Sequence, residues 1–417
     1  MTKLQPPRGT RDLIENEAAR FRRIDQTFAQ LAKTYDFEEI VTPIFEFTHV
    51  FKRSLGETTD IVSKEMYTFE DRGGEQITLR PEGTAGVARA VLSNNMLHQL
   101  PLKLFYYGPM FRYERPQKGR YRQFFQFGVE LFGAQSAIAD AEVLALAHHF
   151  FEKMGLADRV QLELNTIGDI ESRQHFKDKL VEYLTPFKKE LSEDSQVRLE
   201  KNPLRILDSK DENDKKIVQT APKFDDCLND TSKKFFDEVL AAVTSIGLSY
   251  QLNSNLVRGL DYYCHTVFEF TTSELGSQNA VLSGGRYDGL IQAMGGPQTS
   301  GVGWGCGVDR IALLLPDEVS TGDSVAVIGI DEAGDAQVLP TLNLIRKAGI
   351  RAQTIYSGNM GKKMKKADQR HCNWAVLIGS QEVEQGVYQI KNLKTGEQIQ
   401  VPKTQMANWL NSLRDNT

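Results

Sequence analysis

Arg112 and Glu114 stand two residues apart at the end of an aromatic-rich run that begins at Leu104, and Phe124, Gln126 and Glu130 recur at even spacing in the run that follows. Successive side chains of a strand point to opposite faces, so residues at even spacing share one face. Phe125, Phe127, Val129 and Leu131 then fall on the other, apolar face. A half-buried strand turns its polar residues to water. Here an aromatic ring, an amide, a carboxylate and an arginine share one face, a mixture suited to holding a small polar ligand. The joining segment, Arg115 to Gln123, carries Arg115, Lys118, Arg120 and Arg122 and no acid. Hairpin loops are usually about two to five residues, so a longer cationic one suits a polyanion or phosphate. A solvated edge hairpin would show the same residue types.

Three further segments carry chemistry-bearing residues. Glu82, Gly83 and Thr84 precede a helical pattern from Ala85 to Leu92. At such a junction they offer one ligand a carboxylate, a close backbone approach and a hydroxyl, and they are equally the residues of a capped helix start. Leu256 to Phe270 reads as β, with Arg258, Asp261, Tyr262 and Tyr263 close together. Buried Tyr and Arg need partners, so this cluster is a satisfied core network or a ligand site. Ser283 to Gly289 (SGGRYDG) adds Arg286, Tyr287 and Asp288 among glycines that allow close approach. Finally, Gly301, Gly303, Gly305 and Gly307 alternate, which leaves one strand face bare for a flat group such as a nucleobase. A helix opening at Val308 to Leu315 with Asp309 and Arg310 favours phosphate. The run is neither GxGxxG nor GxxxxGK[ST], which disfavours the common nucleotide folds.

The elements that must hold these groups are legible around them. Phe21, Ile24, Phe28, Leu31 and Tyr35 recur at helical spacing over 15–35. Phe37 to Glu46 is a β-branched run broken by Pro43, as in an edge or interface strand. A helix is expected over Ala139 to Met154 and a strand over Val160 to Leu164. His148 and His149 are adjacent on that helix and make no metal pair. From about Gly168 to Ser254 dense mixed charge at helical spacing indicates an inserted helical module. After Ser324 strands and helices alternate, which predicts a separate α/β domain with a mostly parallel sheet. Lys362, Lys363, Lys365, Lys366 and Arg370 concentrate its charge, as nucleic-acid backbone contacts or as a solvated helix face.

With 417 residues the chain should form two or three domains. The net charge of −5 argues against a generic nucleic-acid binder, yet residues 325–417 hold 12 Lys and Arg against 8 Asp and Glu. A polyanion would be met by local patches. Cys227, Cys264, Cys306 and Cys372 are far apart and lack zinc spacing, so most should be small buried hydrophobes. The N-terminal MTKLQPPRGTRDL has no apolar targeting core and no run approaches a membrane span, which leads us to expect a cytoplasmic protein.

Together these segments resemble the class II aminoacyl-tRNA synthetases, and among them the histidyl-tRNA synthetase family, over nearly the whole chain. Ile40 to Glu46 (IVTPIFE) is similar to class motif 1, Phe111 to Glu114 (FRYE) with its loop and return strand to motif 2, and Gly301 to Arg310 (GVGWGCGVDR) to motif 3. LVRGLDYY at Leu256 to Tyr263 and SGGRYDGL at Ser283 to Leu290 are the histidine-specific signals. Asp309, where the family more often has glutamate, and Cys264-His265 depart from the pattern without removing a group assigned to the chemistry.

The resemblance implies an α+β catalytic core, an antiparallel sheet flanked by helices, over 1–167 and 255–320. A helical insertion over 168–254 and a C-terminal α/β anticodon-binding domain over 321–417 would complete the chain. It implies activation of L-histidine with ATP, followed by transfer to tRNA(His), in a homodimer built through motif 1. Arg112 would meet the α-phosphate and Arg258 its opposite side, as the catalytic pair. Phe124 would stack on adenine, Glu114 would accept its amino group, and Arg310 with Arg120 would hold the γ-phosphate. Mg²⁺ is expected on the β- and γ-phosphates, with no dedicated protein metal site. Glu82, Gly83, Thr84 and Gln126 match positions around the α-amino group, and Glu130 and Tyr263 those around the imidazole, with Tyr262 and Tyr287 close by. Arg115, Gln117 and Lys118 would touch the tRNA acceptor end. The competing reading is a catalytically silent, histidine-sensing regulatory paralogue of ATP phosphoribosyltransferase.

Overall fold

The computed structural model describes residues 3–56, 59–207, 209–260, 262–276, 279–317 and 323–414. Asp261 and the expected 320/321 boundary lie outside the described residues. The chain divides into two units, Met1–Asp317 and Glu318–Thr417.

The first unit contains β1 (Glu38–Glu39), β2 (Phe45–Phe47), β3 (Tyr67–Glu70), β4 (Gln76–Leu79), β5 (Leu102–Phe111), β6 (Gln123–Phe132), β7 (Gln161–Thr166), β8 (Gln251–Leu252), β9 (Cys264–Thr271), β10 (Ala280–Arg286) and β11 (Gly301–Gly307). Its helices are α1 (Glu15–Thr34), α2 (Thr48–Leu55), α3 (Thr84–Ser93), α4 (Ala137–Met154), α5 (Ile170–Leu184), α6 (Glu193–Lys201), α7 (Glu212–Val218), α8 (Asp230–Ser245), α9 (Leu290–Ala293) and α10 (Val308–Leu314). The main sheet runs β1-β5-β6-β11-β10-β9-β7-β8, and β2-β4-β3 form a small antiparallel sheet. All pairs of the main sheet are antiparallel except the short edge strands β1, on β5, and β8, on β7. The expected antiparallel core is therefore present, with a parallel margin on each side.

Alternation along β6 decides what the sheet separates. Phe127, Val129 and Leu131 are buried against α1 and α4, where the Phe127 ring centre lies 4.4 Å from Phe28 and 4.8 Å from Phe150. Gln126 and Glu130 point to the other face, which helices leave open around a cavity. β11 is paired with β6 so that Gly303 lies opposite Glu130, and Gly305 opposite Gly128. A Cβ on Gly303 would stand 2.5 Å from Glu130 Oε2 and 2.6 Å from the Tyr287 hydroxyl, and one on Gly305 2.5 Å from Gln126 Nε2. The bare face thus makes room for side chains of its own sheet. Of the four glycines Gly305 and Gly307 line the cavity, so the bare face expected for a flat group is shortened to that end of β11.

Three local expectations also change. Phe37 to Glu46 makes no single strand but two short pieces, β1 and the start of β2, because Pro43 lacks the amide that would continue a ladder. Arg112 and Glu114 lie just beyond β5, and Arg258 lies in a loop, since the strand expected from Leu256 begins only at Cys264. Asn165 holds that loop by donating from Nδ2 to the Leu256 carbonyl at 2.9 Å. Segment 168–254 is helical through α5 to α8, but Val239 and Val243 of α8 join the core beneath the sheet, and β8 extends the sheet edge. Two residues are too few to show alternation.

The second unit contains β12 (Ser324–Gly329), β13 (Arg351–Thr354), β14 (Trp374–Ile378), β15 (Val387–Asn392) and β16 (Gln398–Pro402), with α11 (Glu332–Lys347), α12 (Met360–Gln369), α13 (Ser380–Gln385) and α14 (Met406–Arg414). β12 is parallel to β13 and β14, whereas β14, β15 and β16 are antiparallel. The sheet is therefore mixed and not mostly parallel. A parallel crossover needs about a dozen residues or more, and α13 with its flanking glycines is too short to provide one.

Candidate active site

One cavity opens on the face of β6 that carries Gln126, and Glu82, Thr84, Arg112, Glu114, Arg120, Phe124, Gln126, Arg258, Tyr262, Tyr263 and Arg310 all line it. They come from segments more than two hundred residues apart. The wall has a cationic half and a tyrosine-rich half.

In the cationic half Arg112 donates from Nε to the Pro81 carbonyl at 2.8 Å, and its guanidinium carbon lies 5.3 Å from the centre of the Phe124 ring. Glu114 pairs with Arg120 at 2.9 Å and lies 3.8 Å from Arg112. Arg258 forms an ion pair with Glu269, and Arg310 donates to the Ala280 carbonyl. Burial lowers the Arg310 pKa and the nearby Arg120 and Arg112 lower it further, opposed by Glu114. Four guanidinium groups on one cavity repel each other, and a polyanion relieves that repulsion.

In the other half Glu130 is fully buried and accepts from Thr84 Oγ1 at 2.7 Å and from the Tyr287 hydroxyl. Burial pushes its pKa up to about 8, against the lowering effect of those two hydroxyls. A shift in this direction favours the protonated carboxyl near neutral pH. The phenols of Tyr262, Tyr263 and Tyr287 are likewise raised, by burial first, and stay neutral. The Tyr262 ring centre lies 4.5 Å from Tyr263 and 5.5 Å from Tyr287. Such a pocket offers donors and acceptors without fixed charge, which suits a ring with one donor and one acceptor nitrogen.

Glu82 settles an alternative left open by its type alone. Its carboxylate accepts from the Thr84 and Ala85 amides at 2.7 and 2.8 Å, so it caps α3, and it also lines the cavity. Gly83 donates to Gln126 Oε1 at 3.1 Å, and a Cβ on it would stand 2.2 Å from the Tyr106 ring. Glu130 and Tyr287 lie behind the wall, joined to it through Thr84, so they are linked to the cavity without lining it. Arg115, Gln117 and Lys118 are exposed on the loop after β5 and outside the cavity. Tyr106, Tyr121, Ser283 and Glu269 were not singled out from sequence. Tyr106 pairs with Gly128 across β5 and β6 and leans over it, a partnership that only the strand register shows.

A model described as histidyl-tRNA synthetase matches residues 9–311, and one described as anticodon binding domain matches 324–413. The chain belongs to the histidyl-tRNA synthetase family. The histidine–tRNA ligase of Gluconobacter oxydans is 48% identical over 414 residues, covering 99% of this chain and all of the relative. That of Rhodospirillum rubrum is 48% identical over 399 residues, or 95% and 96% of the two chains. The crystal structure of the S. aureus histidyl-tRNA synthetase without ligands superposes with a TM-score of 0.81 at 34% identity, covering 98% of this chain and 100% of that one. The family catalytic domain therefore contains every cavity residue named above, and the second unit carries the family's anticodon-binding fold.

Proposed function

We infer that the chain is a histidine–tRNA ligase. It joins L-histidine to ATP, forming histidyl-adenylate and pyrophosphate, and then transfers the histidyl group to the 3′ end of tRNA(His). The observation that carries this reading is one wall with two halves, four arginines beside Tyr262 and Tyr263, with the buried Thr84–Glu130–Tyr287 hydrogen-bond chain behind the second half, in a chain of this family. Close full-length relatives that are ligases favour it over the regulatory paralogue.

The residue roles follow from the two halves. A histidine carboxylate oxygen attacks the α-phosphorus as the bond to pyrophosphate breaks, so negative charge grows on the non-bridging oxygens. Arg112 and Arg258 approach the cavity from separate segments and meet that charge on two sides. Fixed donors aimed at developing charge are the main requirement of phosphoryl-type transfer. Arg120 and Arg310 hold the far phosphates, Phe124 stacks on adenine and Glu114 accepts its amino group. Glu82, Thr84 and Gln126 surround the α-amino group, with Gly83 leaving room, while Glu130, Tyr263, Tyr262 and Tyr287 read the imidazole. Among the described residues no three His, Cys, Asp or Glu side chains converge as a metal site. Mg²⁺ commonly keeps several waters and takes phosphate oxygens, so it would be held mainly by the nucleotide. When bound it would neutralise β- and γ-phosphate charge.

The decisive experiment is ATP–pyrophosphate exchange with each of the twenty amino acids and no tRNA. Exchange with histidine alone is expected, and exchange with none would end the reading.

tRNA meets the chain at two places. Arg115, Gln117 and Lys118 face the acceptor end. In the second unit Lys362, Lys365 and Lys366 are exposed for the anticodon arm, while Lys363 instead donates to the Gly329 carbonyl at 2.9 Å. Reversing Lys362, Lys365 and Lys366 to Glu is expected to raise KM for tRNA about tenfold or more, because phosphate contacts contribute through charge. Pyrophosphate exchange should be unaltered, and an equal loss in both assays would remove these lysines from tRNA binding.

The chain works as a homodimer in the cytoplasm. Val41, Ile44, Phe45 and Phe47 around Pro43 are exposed, Val41 by 80%, on the motif 1 segment. An apolar band of this kind marks an interface. V41D combined with F45D is expected to convert a dimer to a monomer in sedimentation velocity, and a monomeric parent chain would refute the assembly. No helix of the described residues is long and apolar enough to cross a membrane.

A further inference from the structure

The segment ahead of α1 holds a cation to which no role has yet been assigned. Arg11 Nη2 pairs with Asp309 Oδ1 at 2.9 Å and with Glu17 Oε1 at 2.7 Å. Its guanidinium carbon lies only 3.6 Å from the centre of the Tyr121 ring. These partners belong to three places: Glu17 to α1, Asp309 to the first turn of α10, and Tyr121 to the end of the loop between β5 and β6. Asp309 is buried, and its other oxygen accepts the Phe125 amide at 2.8 Å, which ties β6 to the same carboxylate.

The backbone of the segment grips the same loop. Gly9 accepts the Arg122 amide at 2.7 Å. Gly9 has φ +85°, and a Cβ there would stand 2.8 Å from Arg122 Cγ, so the chain passes tightly across that side chain. Arg122 in turn covers the Tyr113 ring at 3.8 Å and donates from Nε to the Glu114 carbonyl at 3.3 Å.

Tyr121 and Asp309 line the cavity next to Arg120 and Arg310, their neighbours in sequence. A long loop carrying several cations repels itself. The backbones of Gln117 and Arg120 bond each other within it at 3.2 and 2.9 Å, and Arg11 adds a hold from outside the loop. Arg is suited to fixing it, because its guanidinium plane stacks on the Tyr121 ring while one terminal nitrogen, Nη2, reaches both carboxylates. None of these contacts reaches Glu130, Thr84 or Tyr287.

We propose that Arg11 is a positioning residue of the ATP subsite: by clamping Tyr121 to Asp309 it sets where Arg120 and Arg310 meet the triphosphate. The proposal rests on the reading of the cationic half as the ATP site. Arg11 touches no substrate, so its loss loosens the phosphate end and leaves the histidine end as it was.

The test uses R11A and R11K in the full-length chain, with pyrophosphate exchange measured against ATP concentration and histidine binding measured by calorimetry without ATP. R11A is expected to raise KM for ATP by about tenfold to a hundredfold, the scale of losing charge-assisted hydrogen bonds. Its histidine Kd should stay within about twofold of the parent value. R11K keeps the charge but loses the planar fork, so its KM should fall between the two. An R11A chain with an unchanged KM for ATP, or with histidine affinity falling in step, would overturn the proposal. Should R11A not fold, R11K is judged by the same two numbers, and equality with the parent in both would overturn it. Absence of exchange in the parent chain would refute the ATP reading and this proposal with it, whereas an unchanged KM in an active variant refutes the proposal alone.

Discussion

Replacing Arg258 with alanine is expected to slow adenylate formation by about a hundredfold to a thousandfold, while ATP affinity changes by less than about tenfold. In the free chain Arg258 is already held, by Glu269, in the wall of the cavity. A guanidinium fixed before the reaction gains most when further charge builds on the α-phosphate oxygens and less against the single charge that the group already carries in bound ATP. Its effect belongs to the transition state. Single-turnover quench measurements at saturating histidine give the rate, and a rate close to that of the parent chain would take Arg258 out of the mechanism. Arg112 differs, because its Nε is committed to the Pro81 carbonyl ahead of α3. Changing it should disturb the histidine end as well as the phosphate.

Substituting Glu130 with glutamine is expected to raise KM for histidine about a hundredfold, the scale of losing a hydrogen bond to a charged or ring-nitrogen partner in a dry pocket. The fold should survive. Glutamine keeps one acceptor oxygen but brings two N–H donors in place of the carboxyl's one. The Thr84 and Tyr287 hydroxyls can reverse their roles and keep the fold satisfied, while the extra donor displaces the acceptor that would read the imidazole. Stability should then report the proton. The native group titrates near about 8 and an unperturbed one at 4.5. Between those values the folded chain keeps a proton that the unfolded chain has released, so this group's contribution falls as pH rises through the window and levels off above it. Urea unfolding at about pH 5 and about pH 9 should show a steeper decline for the parent than for Glu130→Gln. Equal slopes would mean that Glu130 is ionised in the free protein.

Much of the site was legible in the residues themselves. Even spacing placed Phe124, Gln126 and Glu130 on one face of β6, and the apolar positions between them fell on the helix-covered face, because a strand alternates whatever its surroundings. Cationic character of the loop after β5 was likewise a matter of composition. The motif segments around Arg258, Tyr287 and Arg310 identified the family before any contact was known, since long runs of specific residue types are required by one chemistry.

Partnership was not legible, because it depends on which strands lie side by side. The alternating glycines of β11 announced an open face, and only the pairing with β6 showed that Glu130, Gln126 and Tyr287 occupy most of it. Arg258 read as a strand residue until the Asn165 contact held its segment as a loop, and Glu269 became its partner from the neighbouring strand. Arg11 gave no local signal at all, being one arginine in a polar N-terminal stretch. Sequence by itself determined the family, the residue types of the site and the faces they occupy, since these follow from spacing along one strand or helix. Tertiary structure alone decided which carboxyl is buried and keeps its proton, which arginine is paired, and what clamps the loop, because burial and pairing arise only when distant segments exclude water from one another.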